Sequence, residues 1–130
     1  MEWLCAAEYI AREGNRDIVL CERGVRTSSH WSHAQSVLDL NIIEPLRRTT
    51  PLPIIVDPSH ATGDWTLVES VSRAALATGV HGLLIEVVEE GVDRASLKCD
   101  GHQGITPTLL AGIVAEAGIS PVRAVSHGES

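Results

Sequence analysis

Three short, uninterrupted apolar runs constrain the fold of this chain more than any other feature. They are Asp17–Cys21 (DIVLC), Pro53–Val56 (PIIV) and Gly82–Val88 (GLLIEVV). Half-solvated strands alternate apolar and polar residues, whereas strands with continuous apolar runs are buried on both faces, as in parallel sheets. The runs are too short for ordinary helices and are rich in branched residues. They therefore predict a parallel sheet that is covered on both faces.

Segments with helical spacing precede, separate and follow these runs. The predicted helices are Trp3–Arg12, a short one near Ile42–Arg48, Leu67–Thr78 and Thr108–Ala117. Before the last of them, Thr106-Pro107 supplies an N-cap and a proline that suits the first turn. Strands that alternate with helices indicate an α/β fold with a parallel sheet.

The other segments fit this single-domain organisation. The polar stretch Arg26–Gln35 (RTSSHWSHAQ) matches neither a helical nor a strand period, and it predicts a loop. We expect residues 1–130 to form one domain, with 118–130 as a flexible tail.

Charge and cysteine content limit the possible partners and setting. The sequence has 10 Lys and Arg against 17 Asp and Glu, a net charge of −7, and no basic run. Nucleic acids and anionic membranes attract clustered cations, so we expect neither as a partner. No apolar stretch reaches the ~20 residues that span a bilayer, and we expect no signal peptide. Three cysteines without CxxC spacing favour a reducing, cytoplasmic setting.

Polar residues follow the apolar runs, at the strand ends where ligands bind in parallel α/β folds. They are Arg23, Gly24 and Arg26 after the first run, Asp57, Ser59 and His60 after the second, and Glu86 and Asp100 at the end of the third and in the loop beyond. The planar fork of Arg23 suits phosphate, and Gly24 would let backbone N–H groups approach the same anion. We expect these groups to share one rim.

Several of these side chains also have an ordinary structural interpretation. Arg23 alone is consistent with a surface ion pair, His60 with a helix cap and Asp100 with a turn. Glu86 is harder to explain in this way, because a carboxylate buried within a sheet is costly unless it is paired or metal-bound. His60, Glu86 and Asp100 together are an N/O donor set for a divalent first-row ion, although their spacing is not a local metal motif.

Six segments in this order resemble a known family. They are EWLCAAEYIAREGN, IVLCERGVRT, LDL, LPIIVDPSHATG, RAALATGVHGLLIEV and CDGHQGITP. They resemble the carboxyl-terminal part of 3-deoxy-D-arabino-heptulosonate 7-phosphate (DAHP) synthase, of the type I beta-like kind related to 3-deoxy-octulosonate 8-phosphate synthase. The resemblance extends to about Ala117. It implies a partial (β/α)8 TIM barrel with parallel strands, made of about the last three β/α units and the preceding helix.

The resemblance also implies an activity and a cofactor. The family condenses phosphoenolpyruvate with erythrose 4-phosphate, a transferase reaction at the entry to the shikimate pathway and aromatic amino acid biosynthesis. A divalent metal ion of the Mn, Fe, Co or Zn class polarises the aldehyde of the acceptor sugar. His60, Glu86 and Asp100 match the metal ligands of the family.

Substrate roles follow from the same resemblance. Arg23 matches a ligand of the phosphoenolpyruvate phosphate, and Asp57 matches the aspartate near the sugar-phosphate site. The implied catalytic residues are thus Arg23, His60 and Asp57. The implied substrate-binding residues are Arg23, Gly24, Arg26, Asp57 and Ser59.

Departures from the family leave the role of the chain open. The family's cysteine metal ligand, its KPRTS-like loop and its lysine facing phosphoenolpyruvate have no counterpart here, and Lys98 is the only lysine. The family's EVHP reads EVVE from Glu86 onward. We expect a second chain that supplies the rest of the barrel, or a homo-oligomer. The alternatives are a non-catalytic, self-associating or regulatory module and a truncated remnant of the same family.

Overall fold

The computed structural model of this chain describes residues 2–31, 34–99 and 101–118, with side chains described for all of these except 27–31 and 34–35. The helices are α1 (Glu2–Arg12), α2 (Ile43–Thr49), α3 (Pro58–Thr62), α4 (Trp65–Ala77) and α5 (Pro107–Glu116). The strands are β1 (Leu20–Glu22), β2 (Val25–Trp31), β3 (Ala34–Val37), β4 (Ile54–Val56) and β5 (Gly82–Leu83). Short 3-10 helices lie at Leu40–Ile42 and Arg94–Ser96.

The central sheet is parallel, as the continuous apolar runs predict. Its strand order is β1-β4-β5, with Leu20 opposite Ile54 and Val56 opposite Leu83. Helical connections join each of these strands to the next, so the predicted α/β class with a parallel sheet is confirmed. The described residues do not close a barrel, and β1 and β5 are the edges of this sheet.

One face of the sheet forms the core. Its strand residues Leu20, Ile54 and Val56 are buried. They pack in one cluster with side chains of the helices, namely Ala7, Ile43, Leu46 and Ala75. A second cluster joins α4 and α5 beside β5 and consists of Val68, Ile105 and Ile113. The helices therefore cover one side of the sheet.

The described residues leave the opposite face of the sheet uncovered, and here the prediction of burial on both faces is wrong. Side chains alternate across a strand, so Cys21 and Ile55 point away from the core, and both are only partly buried. Val19 is 53% exposed and Leu84 is 51% exposed. We call Val19, Cys21, Ile55 and Leu84 the inner face. No element of the described chain packs over it.

Three segments differ from their predicted conformation or bounds. The predicted strand Gly82–Val88 pairs only at β5, and beyond it Val87 forms an isolated bridge to Ile105. Glu86 is consequently half-buried rather than enclosed within a strand. Arg26–Gln35, predicted as a loop, falls within the antiparallel hairpin of β2 and β3. The predicted strand Asp17–Cys21 pairs over β1, Leu20–Glu22.

Side-chain caps set the helix boundaries. Asp64 accepts a hydrogen bond from the N–H of Thr66, so α4 begins two residues before the predicted start. Asp57 caps α3, which is too short for its apolar period to be recognised. Thr106 caps α5 as predicted, with Pro107 in the first turn.

No helix among the described residues is long and apolar enough to cross a membrane. The predicted tail 118–130 lies outside the described residues except for Gly118, and the assignment of 1–130 to one domain stays a prediction.

Burial predicts a large loss of stability for one isoleucine truncation and almost none for another. Ile54→Ala should lower the free energy of unfolding by about 2–5 kcal/mol, because it opens a cavity in the fully buried core. Ile10→Ala removes the same atoms from a side chain that is 47% exposed. It should change the free energy of unfolding by less than about 0.5 kcal/mol. Urea denaturation followed by circular dichroism measures both. Equal effects would contradict the described core.

Candidate functional site

A cavity lies at the carboxyl ends of β1 and β4, where the sequence predicts the rim. Its volume is about 370 Å³, and its lining residues are Arg23, Gly24, Arg26, Ser36, His60, Gly63 and Gln103. Four of the predicted site residues thus meet in one cavity: Arg23, Gly24, Arg26 and His60. Among the described residues, the lining contains two arginines and an imidazole and no carboxylate. Such a cavity suits an anionic ligand.

The carboxylate of Asp57 joins two of these residues from below. Asp57 is fully buried between β4 and α3. One oxygen accepts the backbone N–H of His60 at 2.9 Å, and the other accepts Nε of Arg23 at 3.3 Å. A buried carboxylate is tolerated only when it is paired and hydrogen-bonded. Asp57 therefore fixes Arg23 and His60 relative to each other.

The imidazole of His60 also faces Asp57. Its Nδ1 lies 2.8 Å from Oδ2 of Asp57, which is hydrogen-bond distance without hydrogen-bond geometry. Metal-binding histidines are commonly oriented by a carboxylate beside the nitrogen that does not bind the metal. The contact between Asp57 and His60 has the distance of that arrangement but lacks its hydrogen bond, and Nε2 is the ring nitrogen that does not face Asp57.

Ser59 and Glu86 lie beside this site but do not line the cavity. The fully buried Ser59 accepts the backbone N–H of Glu86 through Oγ at 2.9 Å. The carbonyl of Glu86 accepts the N–H of Ile105 at 2.9 Å. The segment that carries Glu86 is therefore anchored to Ser59, the residue before His60 in the chain. The assignments of Ser59 to substrate and of Glu86 to metal stay predictions.

Glu22 shapes the rim, although the sequence analysis did not single it out. This nearly buried carboxylate accepts the N–H of Gly24 at 2.9 Å and the N–H of Asp39 at 3.3 Å through Oε1. It thereby joins the two ends of the β2–β3 hairpin. The N–H of Gly24 is engaged within the chain, so the structure does not offer it to an anion as expected. The sequence signal that could have identified Glu22 is a carboxylate at the end of a buried strand.

The described residues contain no group of three or more His, Cys, Asp or Glu side chains placed to hold a metal ion. Asp100, the third predicted ligand, lies outside the described residues. Burial, followed by the nearby Asp57, raises the pKa of the Cys21 thiol. Cys21 therefore favours the neutral thiol over the thiolate that binds metals. His60 and Glu86 are the described donors that remain from the prediction.

Comparison with known proteins identifies what this chain is similar to. The family model of the DAHP synthetase I family matches residues 1–123. The phospho-2-dehydro-3-deoxyheptonate aldolase of Thermotoga maritima is 43% identical over 115 residues, covering 88% of this chain and 32% of that protein. The 2-dehydro-3-deoxyphosphooctonate aldolase of Pelobacter propionicus is 34% identical over 124 residues, covering 84% of this chain and 43% of that protein.

Solved structures give the same result. The crystal structure of the Thermotoga maritima DAHP synthase matches with a TM-score of 0.78 at 41% identity, over 88% of this chain and 32% of that one. Its truncated form matches with the same TM-score over 42% of its length. The resemblance seen in the motifs is confirmed, and the chain spans less than half the length of these relatives.

The close packing at Gly24 predicts a stability loss on substitution. Gly24 has a φ of +93°, and an added Cβ would lie 2.9 Å from Cβ of Ser36. Gly24→Ala should lower the free energy of unfolding by about 1–3 kcal/mol. Gly112→Ala is the control, because open space surrounds this position in α5, and it should raise that free energy by about 0.5–1 kcal/mol. Urea denaturation tests both, and a neutral Gly24→Ala would contradict the described rim.

Proposed function

This chain belongs to the DAHP synthetase I family, and on that premise we propose that it forms part of a transferase active site condensing phosphoenolpyruvate with erythrose 4-phosphate. The reaction would serve the shikimate pathway in the cytoplasm. One observation carries the proposal: Arg23, Arg26 and His60 converge on one cavity, with the buried Asp57 beneath two of them.

Arg23 is the proposed clamp for the phosphate of phosphoenolpyruvate. Its Nε is occupied by Asp57, whereas its terminal nitrogens have no partner among the described residues. The side chain is 59% exposed, so its charged end is accessible from the cavity. A guanidinium held at Nε presents its remaining N–H groups in a fixed direction, which suits a phosphate. Arg26 adds a second positive charge to the same wall.

The proposed metal site uses His60 and Glu86, with Asp100 as the third ligand that the resemblance implies. A divalent ion bound there would polarise the aldehyde oxygen of the acceptor sugar. The chain itself supplies the orientation of the donors. Asp57 faces Nδ1 of His60, and the hydroxyl of Ser59 fixes the backbone of Glu86.

We further propose that a second polypeptide supplies the remaining β/α units. The inner face leaves Val19 and Leu84 half exposed, and β1 and β5 have unpaired edges among the described residues. Exposed apolar faces and free edges promote association. Two copies of this chain would provide six central strands, which is fewer than the eight of a closed barrel. A complementary partner fits this arithmetic better than a homodimer.

Complementation tests the proposed activity. The segment of the Thermotoga maritima relative that this chain does not match would be co-expressed with the chain and also fused ahead of it. Consumption of phosphoenolpyruvate in the presence of erythrose 4-phosphate is the measurement. We expect turnover from the combined proteins and none from the chain alone. A soluble fusion without turnover would favour the non-catalytic alternative.

Arg23→Lys tests the proposed phosphate clamp in the active combination, with Arg12→Lys as the control. It keeps the charge but loses the fork, and kcat/KM should fall by about tenfold or more. Arg12→Lys, at the exposed end of α1, should leave kcat/KM unchanged.

His60→Ala tests the metal site. Loss of a direct ligand should weaken Mn²⁺ binding beyond the roughly 10–100-fold that loss of an outer hydrogen-bond partner typically causes. Titration calorimetry of the active combination measures this. His81→Ala is the control, because Nδ1 of His81 accepts the N–H of Ile54 at 3.1 Å. It should lower stability without changing the Mn²⁺ affinity. Unchanged Mn²⁺ binding by His60→Ala would refute the assignment.

A further inference from the structure

Hydrogen bonds hold most of the backbone carbonyls in the turn formed by residues 101–104. Nη1 of Arg94 donates to the carbonyls of Gly101 and Gly104, at 2.9 and 2.6 Å. The backbone N–H of Trp65 donates to the carbonyl of His102 at 2.7 Å. The guanidinium of Arg94 also stacks on the Trp65 ring, with its central carbon 4.6 Å from the ring centroid. The turn is therefore held in one position against the start of α4.

Close packing restricts which residues the turn can contain. A Cβ at Gly101 would lie 2.6 Å from the carbonyl oxygen of Arg94, and a Cβ at Gly104 would lie 2.7 Å from Cγ1 of Val88. Only residues without a side chain fit at these two places. The arrangement thus directs Gln103, which lies between them, toward one place in the molecule.

Gln103 is only 9% exposed and lines the same cavity as Arg23, Arg26 and His60. Its Nε2 has no hydrogen-bond partner among the described residues. Buried polar atoms are almost always paired, so an unpaired amide in a rigid turn calls for an explanation. The cationic lining around it indicates what would pair with it.

We propose that Gln103 is a ligand-binding residue, which donates a hydrogen bond from Nε2 to an oxygen of the anion held by the two arginines. The arginines supply charge, and the amide supplies a neutral donor with a fixed direction. This inference rests on the proposed function only in taking a phosphate-bearing ligand as the occupant of the cavity. Gln103 would contribute orientation of that ligand, in a turn that Arg94 positions.

Inorganic phosphate is the probe that tests this role in the full chain. We expect the side-chain amide signals of Gln103 in a ¹H–¹⁵N correlation spectrum to shift as phosphate is added, and their assignment comes from the loss of these signals in Gln103→Met. Gln103→Met should bind phosphate about tenfold more weakly, as expected for a lost hydrogen bond to a charged group. Its melting temperature should stay the same or rise, because an unpaired buried amide has been removed.

Ser72→Ala is the matched control. Oγ of Ser72 is also buried and without a hydrogen-bond partner among the described residues, but Ser72 lies in α4 and does not line the cavity. Removing this hydroxyl should have a similar effect on the melting temperature and should leave the phosphate affinity unchanged. Equal phosphate affinity in wild type and Gln103→Met, or phosphate binding that leaves the amide signals in place, would overturn the role of Gln103 alone. Absence of phosphate binding by the wild type would overturn this role and the proposed anion cavity together.

Discussion

The buried carboxylate of Asp57 is the group on which the arrangement of this site depends. It ends β4, caps α3 through the N–H of His60, and reaches across to Arg23 beyond the neighbouring strand β1. Desolvation of a carboxylate is costly, so each of these contacts compensates for its burial. The same contacts bring a guanidinium and an imidazole to one cavity. The contacts that compensate for the burial of Asp57 therefore also set the geometry of the site.

The two halves of the proposed site differ in how firmly the chain holds them. The anion half stands on β1 and β4, which pair in register and share the main core. The metal half depends on Glu86, beyond a strand of two residues, and on the loop that leads to the turn at 101–104. There the anchors are hydrogen bonds, between Ser59 and the backbone of Glu86 and from Arg94 and Trp65 to the turn.

Sequence patterns predicted the parts that depend on local chemistry. The parallel sheet and the cap at Thr106 follow from continuous apolar runs and from a threonine before a proline. The convergence of Arg23 and His60 follows from their places after adjacent parallel strands. The half-buried state of Glu86 did not follow, because the third run pairs over only two residues and the described residues leave one face of the sheet uncovered. The role of Glu22 was missed because its partners are backbone N–H groups, one of them 17 positions away.

The uncovered inner face and the cavity differ in how far the described residues complete them. Ile55 and Leu84 stay partly exposed among the described residues, whereas Asp57, Arg23 and His60 contact one another within them. This polar cluster depends on neighbours across one strand pair, so it can keep its geometry while the inner face is uncovered. The cavity can therefore be ready to bind an anion before the sheet is covered. The proposed condensation, which would need groups from further strands, would follow that covering.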